Sequence, residues 1–210
     1  MDLVYEVIRL YQSARQVRPA HHKVTRGRSR SISSDLEDLF ALFLVNKIQC
    51  DHIYVDQPIA ILEQRQPRCP DITIARDNQL TAFCDLKTDM GWDRKGLGPL
   101  CRRHYQWLHE ARGKTARLNE KKGAAKTGKS YEVSKRATYS VVILHEHNVK
   151  ADLLRNDISA VRKQLGPDLD VFILTRGGHP NAYNIGAREL RKTIHLRHDD
   201  LRALVNRLNG

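Results

Sequence analysis

Little in this 210-residue chain supports a disulfide or zinc scaffold. Its four cysteines, Cys50, Cys69, Cys84 and Cys101, are widely spaced, and no CxxC pair occurs. They read as reduced structural thiols. Long apolar runs are also missing, since none approaches the ~20 residues that span a bilayer. The opening MDLVYEVIRL carries an early acid and lacks the basic-then-apolar order of a signal peptide. The expectation is a cytoplasmic, prokaryotic-type intracellular protein with no membrane partner. No internal repeat or composition shift marks a boundary, so residues 1–210 are read as one domain. Acid is the conspicuous shortage: 24 Asp and Glu face 36 Lys and Arg, a net charge of +12. That excess points to a polyanionic partner, most simply nucleic acid.

What is present alternates between helical and strand periodicities. Leu3, Val7, Tyr11 and Ala14 recur at helical spacing near the start. The basic stretch RPAHHKVTRGRSRS follows, with Arg26, Arg28 and Arg30, and reads as either a solvated linker or a phosphate-gripping arm. In SSDLEDLFALFLVNK, Ser33 or Ser34 can cap a helix whose buried face holds Leu36, Leu39, Phe40, Phe43 and Leu44. DHIYVDQPIAIL is expected to be one strand bent at Pro58. A hairpin turning at Asp77-Asn78-Gln79 comes next. Pro99 suits the first turn of a helix running towards Glu120, and KKGAAKTGKS reads as a mobile loop. Within it, TGKS at 127–130 has the tail of a phosphate-binding loop, but ATP is not expected. ATYSVVILHEH and DVFILTR read as strands buried on both faces, with helices at 151–165 and in DDLRALVNRL. The expected class is α/β, a mixed central sheet with helices on both faces.

The chemistry concentrates in RCPDITIARDNQLTAFCDLKTD, residues 68–89, where Asp71, Asp85 and Lys87 lie in or beside two apolar runs. Burying such charges costs several kcal/mol unless they are paired. A three-residue turn centred on Asn78 gives the hairpin an index sum of 156, which Asp71 and Asp85 also satisfy. The two carboxylates would then face one another, with Lys87 on the same face and Cys84 and Leu86 turned into the core. Facing carboxylates repel unless a cation neutralises them, and oxygen ligands suit Mg²⁺, for which Mn²⁺ can substitute. Such an ion beside a lysine makes a phosphodiesterase.

Pro70-Asp71, followed after thirteen residues by Asp85-Leu86-Lys87, resembles the PD-(D/E)XK nuclease superfamily, whose best-known members are type II restriction endonucleases. The resemblance covers about residues 33–175, leaving an N-terminal helix and basic arm at 1–32 and a C-terminal elaboration at 176–210. It implies a restriction-endonuclease-like core of order αβββαβ and a Mg²⁺-dependent endonuclease that leaves 5′-phosphates. Asp71, Asp85 and Lys87 would be catalytic, with Asp71 and Asp85 as metal ligands. Such nucleases often carry an acid on the helix before the hairpin, and Glu37 is the best match. Ser34-x-x-Glu37 also spells a capping box, which would give Glu37 a purely structural task. Glu63 is the reserve.

Contacts to double-stranded DNA are expected from Arg26, Arg28, Arg30, Arg94, Lys95, Arg102 and Arg103 on phosphates. Arg176, His179 and Asn181 in TRGGHPNAYN form a candidate recognition segment, with an ordinary surface loop as the alternative. His145 and His147 share a strand face, which suits either zinc or the polar end of a strand. A palindromic site would favour a homodimer, with the first helix as a possible dimer element. The alternatives are a Holliday-junction resolvase or repair nuclease of the same superfamily, or a non-catalytic nucleic-acid-binding protein. A basic RNA-binding protein of unrelated fold leaves the acidic pair unexplained.

Overall fold

A computed structural model describes residues 1–16, 31–62, 64, 66–90, 96–122, 125–146 and 150–210. Helices α1 (Leu3–Gln16) and α2 (Ser33–Val45) precede strands β1 (His52–Val55), β2 (Ile59–Ile61), β3 (Ile72–Arg76) and β4 (Gln79–Lys87). Helix α3 (Leu97–Ala111), β5 (Thr115–Lys122) and β6 (Ala125–His145) follow. Then come α4 (Ala151–Leu165), β7 (Leu169–Gly177), α5 (Ala187–Thr193), β8 (Ile194–Leu196) and α6 (His198–Asn209).

The strands form one curled mixed sheet. Its order is β1-β3-β4-β6-β5-β2, with β7 on the C-terminal half of β6 and β8 beyond it. β4, β6 and β7 run parallel, while β1–β3, β3–β4, β5–β6, β2–β5 and β7–β8 are antiparallel. Alternation on β6 divides the core. Val141 and Ile143 pack with Leu100, Leu108, Ile158 and Val161 of α3 and α4, whereas Val142 and Leu144 pack with Leu36, Phe40, Leu204 and Leu208 of α2 and α6. The apolar centre of β6 is therefore covered on both faces, as its β-branched run predicts. Helix α1 packs on its own chain: Leu3 and Val7 join the α2–α6 side, and Val4 and Ile8 pack on Leu190 and Ile194.

Several expected elements differ. The single strand bent at Pro58 is two strands, β1 pairing with β3 and β2 with β5. The third helix stops at Ala111 rather than near Glu120, where Gly113 adopts φ +74 and buried Ala116 and Leu118 alternate with exposed Thr115 and Arg117. The described part of the expected mobile loop is a two-stranded ribbon, pairing from Thr115↔Glu132 to Lys122↔Ala125. α5 and β8 had no counterpart in the sequence reading. Helix α2 starts at Ser33 after Ile32, and no side chain caps it.

Candidate functional site

The hairpin of β3 and β4 reaches the expected register by another route. Its turn has two residues, Asp77 and Asn78, both at positive φ (49 and 59), the backbone of a type I′ hairpin. Alone, that turn would put Asp71 opposite Cys84. A bulge at Thr81 adds one residue, so Ala75↔Leu80 gives way to Ile74↔Ala82 and Ile72↔Cys84. Continuing that ladder by one step sets Asp71 beside Asp85. The bulge also turns Phe83 towards α3 while Ala82 and Cys84 face α2 and α6.

Asp85, 7% exposed, is the buried carboxylate among the described residues. Lys87 Nζ lies 2.6 Å from its Oδ2, and His104 Nε2 of α3 lies 3.3 Å from the same oxygen. The His104 ring stacks on Tyr139, centroids 4.4 Å apart. Burial opposes ionisation of Asp85, but His104 and Lys87 outweigh it and hold the carboxyl down at about 2. Asp71 behaves oppositely: burial and the charge of Asp85 push it up to about 6, although the Leu86 N–H donates to its Oδ2 at 2.5 Å.

Glu37, half-buried near the start of α2, is pushed up to about 7 by burial and by Asp71, Asp56 and Asp38. The capping-box reading fails because α2 starts after Ile32 with no side-chain cap, and the charges of Asp71, Asp56 and Asp38 reach Glu37. Asp56 was not anticipated. It follows β1 at φ 43, and its N–H donates to the Asp71 carbonyl at 3.0 Å. The Cys69 thiol donates to Asp56 Oδ1 at 3.1 Å and is pushed up to about 12 by lost solvation and by Asp56, Asp71 and Glu37. His104 was also missed, yet it interrupts the stripe Leu97, Leu100, Cys101, Leu108, Ala111 that α3 buries. A polar residue inside an apolar stripe was the available signal.

The remaining predicted residues scatter. Arg103 is exposed on α3, while Arg102 Nη1 donates to Gln164 of α4 at 3.4 Å. Arg176 is exposed at the end of β7. His179 packs against Tyr11 and His145 (centroids 6.2 and 5.6 Å), and its Nδ1 accepts the Asn181 N–H at 2.9 Å. The His145 N–H donates to Thr88 O, so this loop lies at the end of the sheet where Lys87 ends β4. His145 is buried with Nδ1 2.9 Å from Thr175 Oγ1, the setting of a core histidine. Arg26, Arg28, Arg30, Arg94, Lys95, Glu63 and His147 lie outside the described residues.

One motif needs correcting. GAAKTGKS, residues 123–130, does spell the phosphate-loop pattern, because Gly123 supplies the leading glycine that a reading of TGKS alone overlooks. Such a loop works between a strand and a helix, with its N–H groups turned inwards. Here Ala125–Ser130 lie on β6, paired with β5, and the strand continues to His145. Among the described residues of the motif, that context gives no nucleotide cradle.

Among the described residues no three His, Cys, Asp or Glu side chains form a ready-made metal cage. Mg²⁺, however, is commonly held by one or two carboxylates plus water and substrate phosphate. The donors here are carboxylate oxygens, and two of the carboxylates titrate high partly because like charge is uncompensated. A hard divalent cation fits that set. Comparison with protein-family models, with curated proteins and with solved structures finds no match for this chain.

Proposed function

We propose that this chain is a Mg²⁺-dependent DNA endonuclease of the PD-(D/E)XK type, most simply a restriction endonuclease acting on double-stranded DNA. The observation that carries the reading is the convergence of Asp71, Asp85 and Lys87 at one end of the β3–β4 hairpin, with Glu37 approaching from α2. The order α2-β1-β3-β4-α3-β6 supports it. With β2 and β5 set apart as additions, it reads helix, three antiparallel strands, helix, parallel strand. The net charge of +12 supports a polyanionic substrate.

In this reading Asp71, Asp85 and Glu37 would hold the ion. When bound, the ion supplies Lewis acidity towards a phosphoryl oxygen and neutralises the carboxylates. Lys87, anchored on Asp85, presents its ammonium where charge develops on the phosphate or where an attacking water must be oriented. His104 lies against Asp85 from the α3 side, its Nε2 3.3 Å from Oδ2. Cutting both strands of a palindrome would use two copies, one per strand, so the proposed active form is a homodimer.

The test is incubation of supercoiled DNA with the purified protein, in Mg²⁺ and in EDTA, beside Asp85→Asn. Discrete Mg²⁺-dependent fragments from the wild type alone support a sequence-specific endonuclease. A Mg²⁺-dependent smear keeps the nuclease and removes the specificity. Duplex binding without cutting of duplex, branched DNA or RNA transfers the reading to a binding protein.

A further inference from the structure

A groove of about 520 Å³ opens between α3 and the chain that leads into Asp71. One wall carries Gln64, Gln66, Pro67 and Arg68, the last held by the reciprocal backbone pair Ile59–Arg68 (2.7 and 3.0 Å). The other is the α3 face carrying Arg103, Gln106 and Glu110, with Trp107, 4% exposed, at its base. Gln64 ties the walls together: its Oε1 accepts the Trp107 indole N–H at 3.1 Å, and its Nε2 donates to Glu110 Oε2 at 3.4 Å. The carboxylate of Glu110 is thus engaged, and among the described residues the exposed cations of the lining are Arg68 and Arg103, one on each wall.

Both walls continue into the acidic site. Arg68 is three residues before Asp71, and Arg103 immediately precedes His104, whose ring reaches Asp85. The buried Tyr139 ring links groove and site: it lies edge-on to Trp107 at 6.1 Å and stacks at 4.4 Å on His104, whose Nε2 is 3.3 Å from Asp85. A polar groove with a guanidinium on each side suits a phosphodiester chain better than an apolar ligand, because guanidinium forks match phosphate oxygens.

We infer that this groove is a phosphate subsite, in which Arg68 and Arg103 grip the nucleic-acid backbone beside the bond presented to Asp71 and Asp85. The inference rests on the nuclease reading for which bond is cut, but the subsite itself is a claim about binding. Arg68 is the new assignment, and Arg103 acquires a stated task.

The test is binding of a short fluorescent duplex in EDTA over a series of KCl concentrations, for Arg68→Ala, Arg103→Ala, the double variant and the remote control Arg155→Ala. Each groove arginine should lower the slope of log affinity against log salt by about 1, and the pair by about 2. Arg68→Lys and Arg103→Lys should restore the slope, since a lysine keeps the charge. Both arginines are exposed, and matched melting curves will separate lost binding from lost fold. Wild-type slopes in both alanine variants would overturn the subsite, even if the protein cuts DNA. Reduced slopes in a protein that never cuts would sustain the subsite and remove the nuclease. Absence of duplex binding by the wild type would also overturn it.

Discussion

Replacing Asp71 by Asn should stabilise the metal-free protein, and by an amount that grows with pH. The Asp71 carboxyl is lifted from its ordinary 3.8 to about 6 by burial and by Asp85. For a group raised on folding, the favourable contribution is fully present below 3.8 and is lost as pH rises through about 6. Above that, ionised Asp71 works against the fold. At about 1.4 kcal/mol per pH unit the gap sets a ceiling of about 3 kcal/mol, and solvent screening at a half-buried carboxylate reduces it to about 1–2 kcal/mol. Asn keeps an oxygen for the Leu86 N–H and removes only the charge. Thermal unfolding in EDTA should therefore show Asp71→Asn about 2–6 °C above wild type near pH 8, with the gap closing towards pH 4. Mg²⁺ should narrow the gap by stabilising the wild type through binding. A variant less stable than wild type at both ends of the range, or a gap independent of pH, would refute the reasoning.

Other perturbations have definite outcomes. Asp85, held at about 2, contributes stability above 3.8 that is lost as pH falls through 2, so the stability gap between wild type and Asp85→Asn should close on acidification in urea titrations. Lys87→Met leaves the 7%-exposed Asp85 carboxylate without its 2.6 Å partner and should cost about 1–3 kcal/mol in urea unfolding. A neutral result would place that ammonium outside the stability of the fold. Phe83→Ala empties a fully buried position packed edge-on to Trp107 at 4.9 Å, and should cost about 3–5 kcal/mol. Asn78→Val puts a β-branched residue at φ 59 and should cost about 1–3 kcal/mol, whereas Asn78→Gly should be nearly silent by the same measurement.

Elements with strong local patterns were legible from the residues alone. The stripes of α1, α2 and α6 and the β-branched runs of β6 and β7 occupy the places expected. The ribbon of β5 and β6 was not, because its Lys, Gly and Ala residues have low strand propensity. Its pairing is set by tertiary context, with Ala116 and Leu118 buried beside β2. The seven-residue α5 and three-residue β8 are too short to leave a periodicity. Within the site, Asp71, Asp85 and Lys87 could be read because the motif is local in sequence, whereas Glu37 was named only through the family resemblance. Asp56 just follows β1 and His104 lies on α3, and only the pairing Val55↔Ile72 and the burial of α3 bring them in.

The hairpin shows why a correct register could follow from an incorrect turn. The expected geometry needed an index sum of 156, and the observed two-residue turn gives 155 at Arg76↔Gln79. Thr81 supplies the missing residue, and its hydroxyl donates to the Ile74 carbonyl at 3.4 Å beside the bulge. Because strand side chains alternate, that one residue decides the face. Without it, Asp85 would turn towards Phe40 and Leu44 on the α2 side, an apolar layer with no His104 to receive it. With it, Asp85 meets Lys87 and His104 and stays ionised, while Asp71, opposite and short of cations, is held near 6. The bulge therefore divides the two motif acids electrically. One is anchored by its own chain, and the other keeps a demand for positive charge that a divalent cation can meet.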